Sequence, residues 1–355
     1  MMQLSILLPT NRHGTAVISR IAQVCSWATP SIEVIVRDNS GNAEKHALLA
    51  HFRNEYCRIV SVDPCGPSEN YSETLKLASG EFTFCVADDD RSFDHAIGAL
   101  PGLIDQHAKD FSVAGFTGAY ALETSQGTAV VNYKDIDSDD AAARVGGYLS
   151  YPGPSMFFYS IIRRSIVERM ARFLTGLPVS FSFHDQVLCL LHLLNGKFIR
   201  MPRLFYCYDL GVWEGTESAQ KRDADFYRAA GLDLAINKLH WLLCGFEGAV
   251  LTMNSDLFPD LPSAKRQRIA DAWFSVMFMR FKRDVRLSFG SDIADEAEKV
   301  CKKLQGATGQ LTFERILSET SSFIALSSRD RARAYFDFWS ELINRQQQLF
   351  RKTGS

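Results

Sequence analysis

The stretch Leu77-Ala-Ser-Gly-Glu-Phe-Thr-Phe-Cys-Val-Ala-Asp-Asp-Asp90 decides the fold, because an apolar run leads directly into three adjacent carboxylates. Residues 81–87 are typical of a strand that is buried on both faces, as strands of a parallel sheet are. Three adjacent carboxylates at the end of such a strand repel one another and lose solvation, and a divalent cation would offset that cost. An acidic loop without a metal explains this motif equally well.

Three β-then-α units precede this stretch. The predicted strands are 3–8, 32–37 and 57–62, and the predicted helices are 15–27, 43–54 and 69–79. Strands that alternate with helices predict an α/β domain with a mostly parallel sheet and helices on both faces. Ligands of such sheets bind at the carboxyl ends of the strands. We therefore expect the loops after the first, second and fourth strands to meet in one crevice.

The pattern changes after the acidic triplet. A strand near 111–116, a hairpin turn at Ser125-Gln126-Gly127 and strands at 156–160 and 197–208 predict a mixed part of the sheet. Residues 184–194 have the spacing of a helix that ends at Asn195-Gly196.

Strand signals vanish after residue 213, where aromatic-rich stretches follow helical spacing. The sequence therefore predicts two domains, an α/β nucleotide-binding domain over 1–212 and an all-helical domain over 213–355.

Composition restricts the class of protein. The 355 residues include 39 basic and 41 acidic side chains, a net charge of -2, so there is no electrostatic footprint for nucleic acid. The apolar start is too short for a signal peptide, and the stretch from Trp241 to Met253 is too short to span a membrane. The eight cysteines form no Cys-x-x-Cys pair, which is typical of a reducing compartment. These features predict a cytoplasmic protein, and peripheral attachment to the inner face of the membrane stays open.

Two sets of carboxylates are candidate ligands. Asp38 follows the second predicted strand, where it could accept a hydrogen bond from a nucleobase or ribose, although Asp38-Asn39-Ser40-Gly41 is also favourable turn chemistry. Side chains alternate in an extended chain, so Asp88 and Asp90 are expected on one side and Asp89 on the other. Such oxygen ligands suit Mg²⁺ or Mn²⁺.

A family resemblance joins these motifs. Ser5-Ile-Leu-Leu-Pro-Thr-Asn11, Glu33-Val-Ile-Val-Arg-Asp-Asn-Ser-Gly41, Ser68-Glu-Asn70 and the 77–90 stretch resemble glycosyltransferase family 2 and its GT-A fold in order and spacing. The resemblance covers roughly residues 3–210. It implies that Asp38 contacts the nucleobase, and that Asp88 and Asp90 bind the ribose and the metal on the diphosphate.

The resemblance and the strand ends together place the following residues around the nucleotide sugar: Pro9, Thr10, Asn11, Arg12, Asp38, Asn70, Asp88 and Asp89. The implied metal ligands are Asp90 and Asp88, with Mn²⁺ or Mg²⁺ as the ion.

A second part of the family pattern lies in Phe183-His-Asp-Gln-Val-Leu188. Asp185 matches the aspartate that is the general base of inverting members, while His184 stands where glutamate is common. The family implies an inverting transfer from a nucleotide sugar, with UDP-sugar as the first expectation, to an acceptor on a glycan, a lipid-linked sugar or a protein. It also implies a role in bacterial cell-surface polysaccharide or glycan biosynthesis. Without the resemblance, Asp185 is typical of a helix start.

Other functions stay open on the sequence. A sugar-phosphate nucleotidylyltransferase needs a glycine-rich loop after the first strand, where this chain has Pro9-Thr10-Asn11-Arg12. A nucleotide-binding scaffold without turnover is a further alternative, because Phe278-Met-Arg-Phe-Lys-Arg283 mixes aromatic and basic residues that could dock on a membrane. Packing within the helical domain explains the same stripe, and this domain could also form an oligomer interface. Tyr206 and Tyr208 could stack on a sugar or pack in the core.

Overall fold

A computed structural model gives the architecture. It describes residues 2–353 apart from 152–154, 175, 180–183, 212–220, 222–223, 226, 234–235, 237–238, 287–291 and 306–311. The chain divides into two compact units. The first unit is Met1–Thr175 with Asn195–Ser218, and the second is Gly176–Leu194 with Ala219–Ser355. Residues 176–194 thus group with the helical unit, whereas the domain boundary predicted from the sequence lies at 212.

The first unit contains one nine-stranded sheet. Its strands are β1 (Leu4–Thr10), β2 (Ile32–Asp38), β3 (Cys57–Ser61), β4 (Phe82–Cys85), β5 (Arg91–Ser92), β6 (Val113–Thr124), β7 (Gly127–Val131), β8 (Ile161–Arg163) and β9 (Lys197–Asp209). The order is β3-β2-β1-β4-β8-β6-β9-β5, and β7 pairs with β6. The four strands at one side, β3-β2-β1-β4, are all parallel, and the other side is mixed. The predicted α/β class is confirmed.

Six helices connect these strands: α1 (Thr15–Cys25), α2 (Ala43–Ala50), α3 (Pro67–Leu75), α4 (Asp94–His107), α5 (Ala141–Leu149) and α6 (Arg164–Leu174). Strands β1, β2 and β4 are buried on both faces, as their continuous apolar runs predict, and Leu7, Leu8 and Val36 have no exposed surface; in the edge strand β3, Arg58 and Ser61 are exposed. The register sets Thr10 beside Asp38, so β1 and β2 end at the same level. This shared edge positions the candidate site.

The strand predicted at 156–160 is wrong. Met156–Tyr159 is a 3₁₀ turn, and strand β8 begins only at Ile161. The Phe158 backbone N donates to the Ser155 carbonyl oxygen at 2.9 Å, and the Ser160 backbone N donates to the Phe157 carbonyl oxygen at 3.1 Å. Hydrogen bonds that span three residues close a 3₁₀ turn, whereas an extended strand bonds to its neighbouring strands.

The second unit is helical in its described residues, as predicted for the region after 213. Its helices are α7 (His184–Leu194), α8 (Leu239–Met253), α9 (Ser263–Arg286), α10 (Asp292–Gln305), α11 (Phe313–Ile324) and α12 (Arg329–Thr353). The buried Trp273 donates to the Cys244 carbonyl oxygen at 2.8 Å. A β-carbon at Gly248 would lie 2.3 Å from the Trp273 indole nitrogen, so glycine permits this contact. Among the described helices, none has the length and apolar character needed to cross a bilayer.

Candidate active site at the edge of the parallel strands

The Thr10 hydroxyl connects three loops at the carboxyl edge of the sheet. It donates to Asp88 Oδ2 at 2.5 Å and accepts from Lys45 Nζ at 3.0 Å. Asp88 follows β4, and Lys45 lies in the first turn of α2, just after the loop that follows β2. Both contacts are buried. The expected meeting of the loops after the first, second and fourth strands is therefore observed.

Asp38 is fully buried, and groups of its own chain surround its carboxylate. Oδ1 accepts from the Ser40 backbone N at 3.1 Å and from Lys45 Nζ at 2.9 Å. Oδ2 accepts from the Ser40 hydroxyl at 3.1 Å, and His46 Nε2 lies 3.0 Å from it without hydrogen-bond alignment. A carboxylate has about four acceptor positions, so these groups nearly fill them. The turn that the sequence offered as an alternative is present. Because Asp38 is fully buried beneath these groups, a nucleobase could reach it only after one of them moved.

Lys45 is a site residue that sequence reasoning missed. Its side chain is only 4% exposed, although lysine is rarely buried unless it is paired. The Asn42 side chain caps α2 by accepting from the Lys45 backbone N at 2.8 Å, which fixes the first turn of the helix. The asparagine before a helical run was a visible signal for the cap, but nothing local marked the lysine as buried.

The first two carboxylates of the triplet share one cation. Arg12 Nη1 lies 2.7 Å from Asp88 Oδ1 and 2.5 Å from Asp89 Oδ2. The expectation that Asp89 faces away from Asp88 is therefore wrong. Strand β4 ends at Cys85 and the triplet lies in a bend, so the alternation of an extended chain does not apply there.

Asp90 instead reaches toward β9. It accepts from the Tyr206 hydroxyl at 2.8 Å and from the Asp209 backbone N at 3.0 Å. Burial and the charge of Asp89 raise the pKa of Asp90 to about 7, against the opposing effects of these hydrogen bonds and of Arg12. Asp90 is thus a carboxylate that a nearby cation would stabilise strongly.

Tyr206 packs in the core. It is fully buried, its ring stacks on Tyr159 with centroids 4.4 Å apart, and its oxygen accepts from the Ala87 backbone N at 3.2 Å. Of the two roles open to it on the sequence, packing is the one observed. Its hydrogen bond to Asp90 was not foreseen, because the two residues are far apart in the chain.

Asn70 of α3 hydrogen-bonds to β2 and to the loop after it. Its Oδ1 accepts from Arg37 Nη1 at 2.6 Å, and its Nδ2 donates to Asn39 Oδ1 at 2.7 Å. Asn39 in turn donates to the Cys65 carbonyl oxygen at 2.7 Å. This buried network ties the loop after β2 to the start of α3. Of the other predicted residues, Pro9 is half-buried within β1 and Asn11 is exposed just after it.

The acidic residues fit a divalent cation only with ligands from elsewhere. In the described part of the chain, no three carboxylate, histidine or cysteine side chains are arranged to hold a metal. Mg²⁺ and similar ions, however, are usually bound by one or two carboxylates together with substrate phosphates. Asp88 and Asp90 offer hard oxygen donors. The pKa of Asp90 is raised, so a nearby cation would stabilise its ionised form. The residues present therefore fit a cation whose shell is completed by phosphate oxygens.

A depression of about 600 Å³ lies beside Asp90 in the first unit. Its lining residues are Glu123, Thr124, Ser125, Gly127, Thr128, Asp209 and Gly211. Asp209 connects it to the acidic triplet, because its backbone N donates to Asp90. The depression is polar and carries two carboxylates, a surface that suits hydroxyl-bearing ligands.

Asp185 lies in the second unit, at the start of α7. Its Oδ1 accepts from the Gln186 backbone N at 2.7 Å, and its side chain is half-buried. Burial and the charges of Glu247 and Asp185 raise the pKa of the Cys244 thiol, so Asp185 is close enough to α8 to act on it. The side chain of His184 lies outside the described residues.

Solved structures share this fold. The crystal structure of S. aureus TarS 1–349 is 16% identical over 98% of this chain and 92% of that chain, with a TM-score of 0.55. The same TarS region in complex with UDP-GlcNAc is 15% identical over the same shares, with a TM-score of 0.56. No protein-family model matches the sequence, and no curated protein sequence matches it either. At this level of identity the likeness shows the fold.

Proposed function

We propose that the protein is a metal-dependent glycosyltransferase that transfers a sugar from a nucleotide diphosphate to an acceptor hydroxyl, with inversion. The observation that carries the proposal is the junction at Thr10, which brings Asp88 and the Asp38–Lys45 pair to one edge of the sheet. The TarS structures with UDP and with UDP-GlcNAc support it, because they share the fold.

In this proposal the first unit holds the donor. Asp88 and Asp90 hold a Mn²⁺ or Mg²⁺ ion, and the loop Pro9-Thr10-Asn11-Arg12 with Asp89 faces the diphosphate. Asp38 and Asn70 shape the nucleoside side, where Asp38 takes a nucleobase contact once Lys45 or Ser40 has shifted. When bound, the metal supplies positive charge that stabilises the departing diphosphate.

Asp185 is the proposed general base. A carboxylate within hydrogen-bond reach of the acceptor hydroxyl takes its proton as the new glycosidic bond forms. Attack from the face opposite the diphosphate then inverts the anomeric carbon. The acceptor class proposed is a glycan, lipid-linked sugar or protein of a bacterial cell surface, with UDP-sugar as the first donor to test.

Turnover tests the proposal. The purified chain is incubated with UDP-, GDP-, CMP- and dTDP-sugars and Mn²⁺, with water as the acceptor of the sugar, and release of the free nucleotide is measured. One donor should be consumed, and consumption should fall in Asp185→Asn but not in Asp271→Asn, an exposed aspartate of α9. A folded protein that releases nucleotide from no donor would leave a binding scaffold as the better account.

A further inference from the structure

Arg12 occupies the place of a counter-cation in the acidic triplet. One guanidinium nitrogen contacts Asp88 and Asp89 at 2.7 and 2.5 Å. The side chain of Arg12 is 39% exposed, whereas that of Asp88 is 7% exposed. The carboxylates are thus fixed within the sheet edge, and their counter-ion is the part that reaches solvent.

The same oxygens cannot serve Arg12 and a divalent ion equally well. Asp88 already gives one oxygen to Arg12 and the other to Thr10. A cation entering between Asp88 and Asp90 would be repelled by the guanidinium, since like charges a few ångströms apart oppose each other. A metal alone must therefore compete with Arg12 for this site.

Arg12 is placed so that it can leave. It lies in the short loop between β1 and α1, and this loop ends at Gly14, whose φ of 108° is a conformation that favours glycine. Among the described residues, its hydrogen-bond and ion-pair partners are Asp88 and Asp89. An arginine freed from carboxylates is well suited to bind phosphate oxygens.

We propose that Arg12 is an exchangeable counter-cation, which neutralises Asp88 and Asp89 in the free protein and moves to the diphosphate when a divalent cation replaces it. The inference rests on the proposed function, because it takes a nucleoside diphosphate as the ligand. The consequence is cooperative binding, in which the metal and the nucleotide each bind weakly alone and tightly together. The metal replaces Arg12 as the counter-ion of the aspartates, and the diphosphate gives the displaced Arg12 a new partner.

The test measures separately the binding of the metal at the aspartates and the binding of the diphosphate to Arg12. Mn²⁺ alone is titrated calorimetrically into the wild type, Arg12→Gln and Arg12→Lys, and UDP is then titrated in the presence of Mn²⁺. We expect Arg12→Gln to bind Mn²⁺ alone about tenfold more tightly and UDP with Mn²⁺ about tenfold more weakly, the size of one charged hydrogen bond in each direction. Arg12→Lys should fall between, and Arg203→Gln, an exposed arginine of β9, should match the wild type.

Other outcomes overturn the exchange. Unchanged Mn²⁺ binding with weaker UDP binding would make Arg12 a phosphate ligand only. Weaker binding of both ligands would make it a structural residue, and Arg12→Lys, which keeps the charge, guards against loss of folding. Absence of Mn²⁺ binding in both the wild type and Arg12→Gln would also refute it. The Mn²⁺ comparison needs no nucleotide, so failure of UDP to bind the wild type would count against the proposed function alone.

Discussion

The Tyr206 hydroxyl donates a 2.8 Å hydrogen bond to Asp90 Oδ2 from a strand at the far side of the mixed sheet. The bond holds the third carboxylate of the triplet toward β9, while Arg12 holds the first two. The acidic triplet is therefore divided between two sets of partners. Its chemistry depends on both.

The raised pKa of Asp90 predicts a pH dependence of stability. The folded-state pKa of about 7 exceeds that of an unfolded aspartate, so protonation favours the folded state. This contribution is complete below about pH 4 and is lost as the pH rises through about 7. In metal-free buffer, the unfolding midpoint of the wild type should fall relative to that of Asp90→Asn between about pH 5.5 and about pH 8, by about 2–4 °C. Asp63→Asn, at an exposed loop position, should follow the wild type. Parallel curves for the wild type and Asp90→Asn would refute the shifted pKa.

The buried Asp38–Lys45 ion pair predicts that losing one partner costs more stability than losing both. Both side chains are buried, at 0% and 4% exposure. Lys45→Met should lower the free energy of unfolding by about 3–5 kcal/mol, because it leaves a buried carboxylate uncompensated. The double variant with Asp38→Asn should recover part of that loss, whereas Lys76→Met, at an exposed lysine, should have little effect. Urea denaturation measures these proteins together with the single variant Asp38→Asn, and losses in the double variant that equal the sum of the two single losses would argue against the pair.

The hydrogen bonds of the Thr10 hydroxyl predict that Thr10→Ser and Thr10→Val differ in stability. Thr10→Ser keeps the hydroxyl that bonds Asp88 and Lys45, whereas Thr10→Val keeps the shape and loses both bonds. We expect Thr10→Val to cost about 1–3 kcal/mol more than Thr10→Ser in the free energy of unfolding. Equal losses in the two variants would mean that the junction contributes nothing.

Asp185 as the general base predicts a split between binding and turnover. Asp185→Asn should lower kcat by about 10²- to 10⁴-fold, because an amide cannot accept the proton. UDP and Mn²⁺ should stabilise Asp185→Asn as much as they stabilise the wild type. The control variant Asp271→Asn should match the wild type in both turnover and stabilisation. Steady-state kinetics and thermal unfolding distinguish these effects. A variant with full turnover would remove Asp185 from the mechanism.

Local patterns predicted the strands and helices well because hydrophobic periodicity records which face of an element is buried. The rule that parallel strands bind ligands at their carboxyl ends predicted the meeting of Thr10, the loop after β2 and Asp88. It could not predict the Asp38–Lys45 pair, because burial of a lysine depends on the surrounding fold. The Tyr206–Asp90 bond depends on the register of β9, and that register is a long-range property.

The errors have equally specific causes. Asp88 and Asp89 share Arg12 because the chain bends after Cys85, which the apolar run through Ala87 did not reveal. Residues 156–160 are apolar and aromatic like a strand, yet they form a 3₁₀ turn that is closed by local backbone hydrogen bonds, which composition does not reveal.

Metal-dependent nucleotide binding at Asp88 is tested most directly by thermal unfolding with UDP, GDP, CMP and dTDP, with and without Mn²⁺, in the wild type and in Asp88→Asn. A ligand at about 100 times its Kd stabilises the folded protein by about 2.7 kcal/mol. We expect one nucleotide to raise the unfolding midpoint strongly with Mn²⁺, weakly without it, and not at all in Asp88→Asn. No shift with any nucleotide, or the same shift in Asp88→Asn, would contradict it.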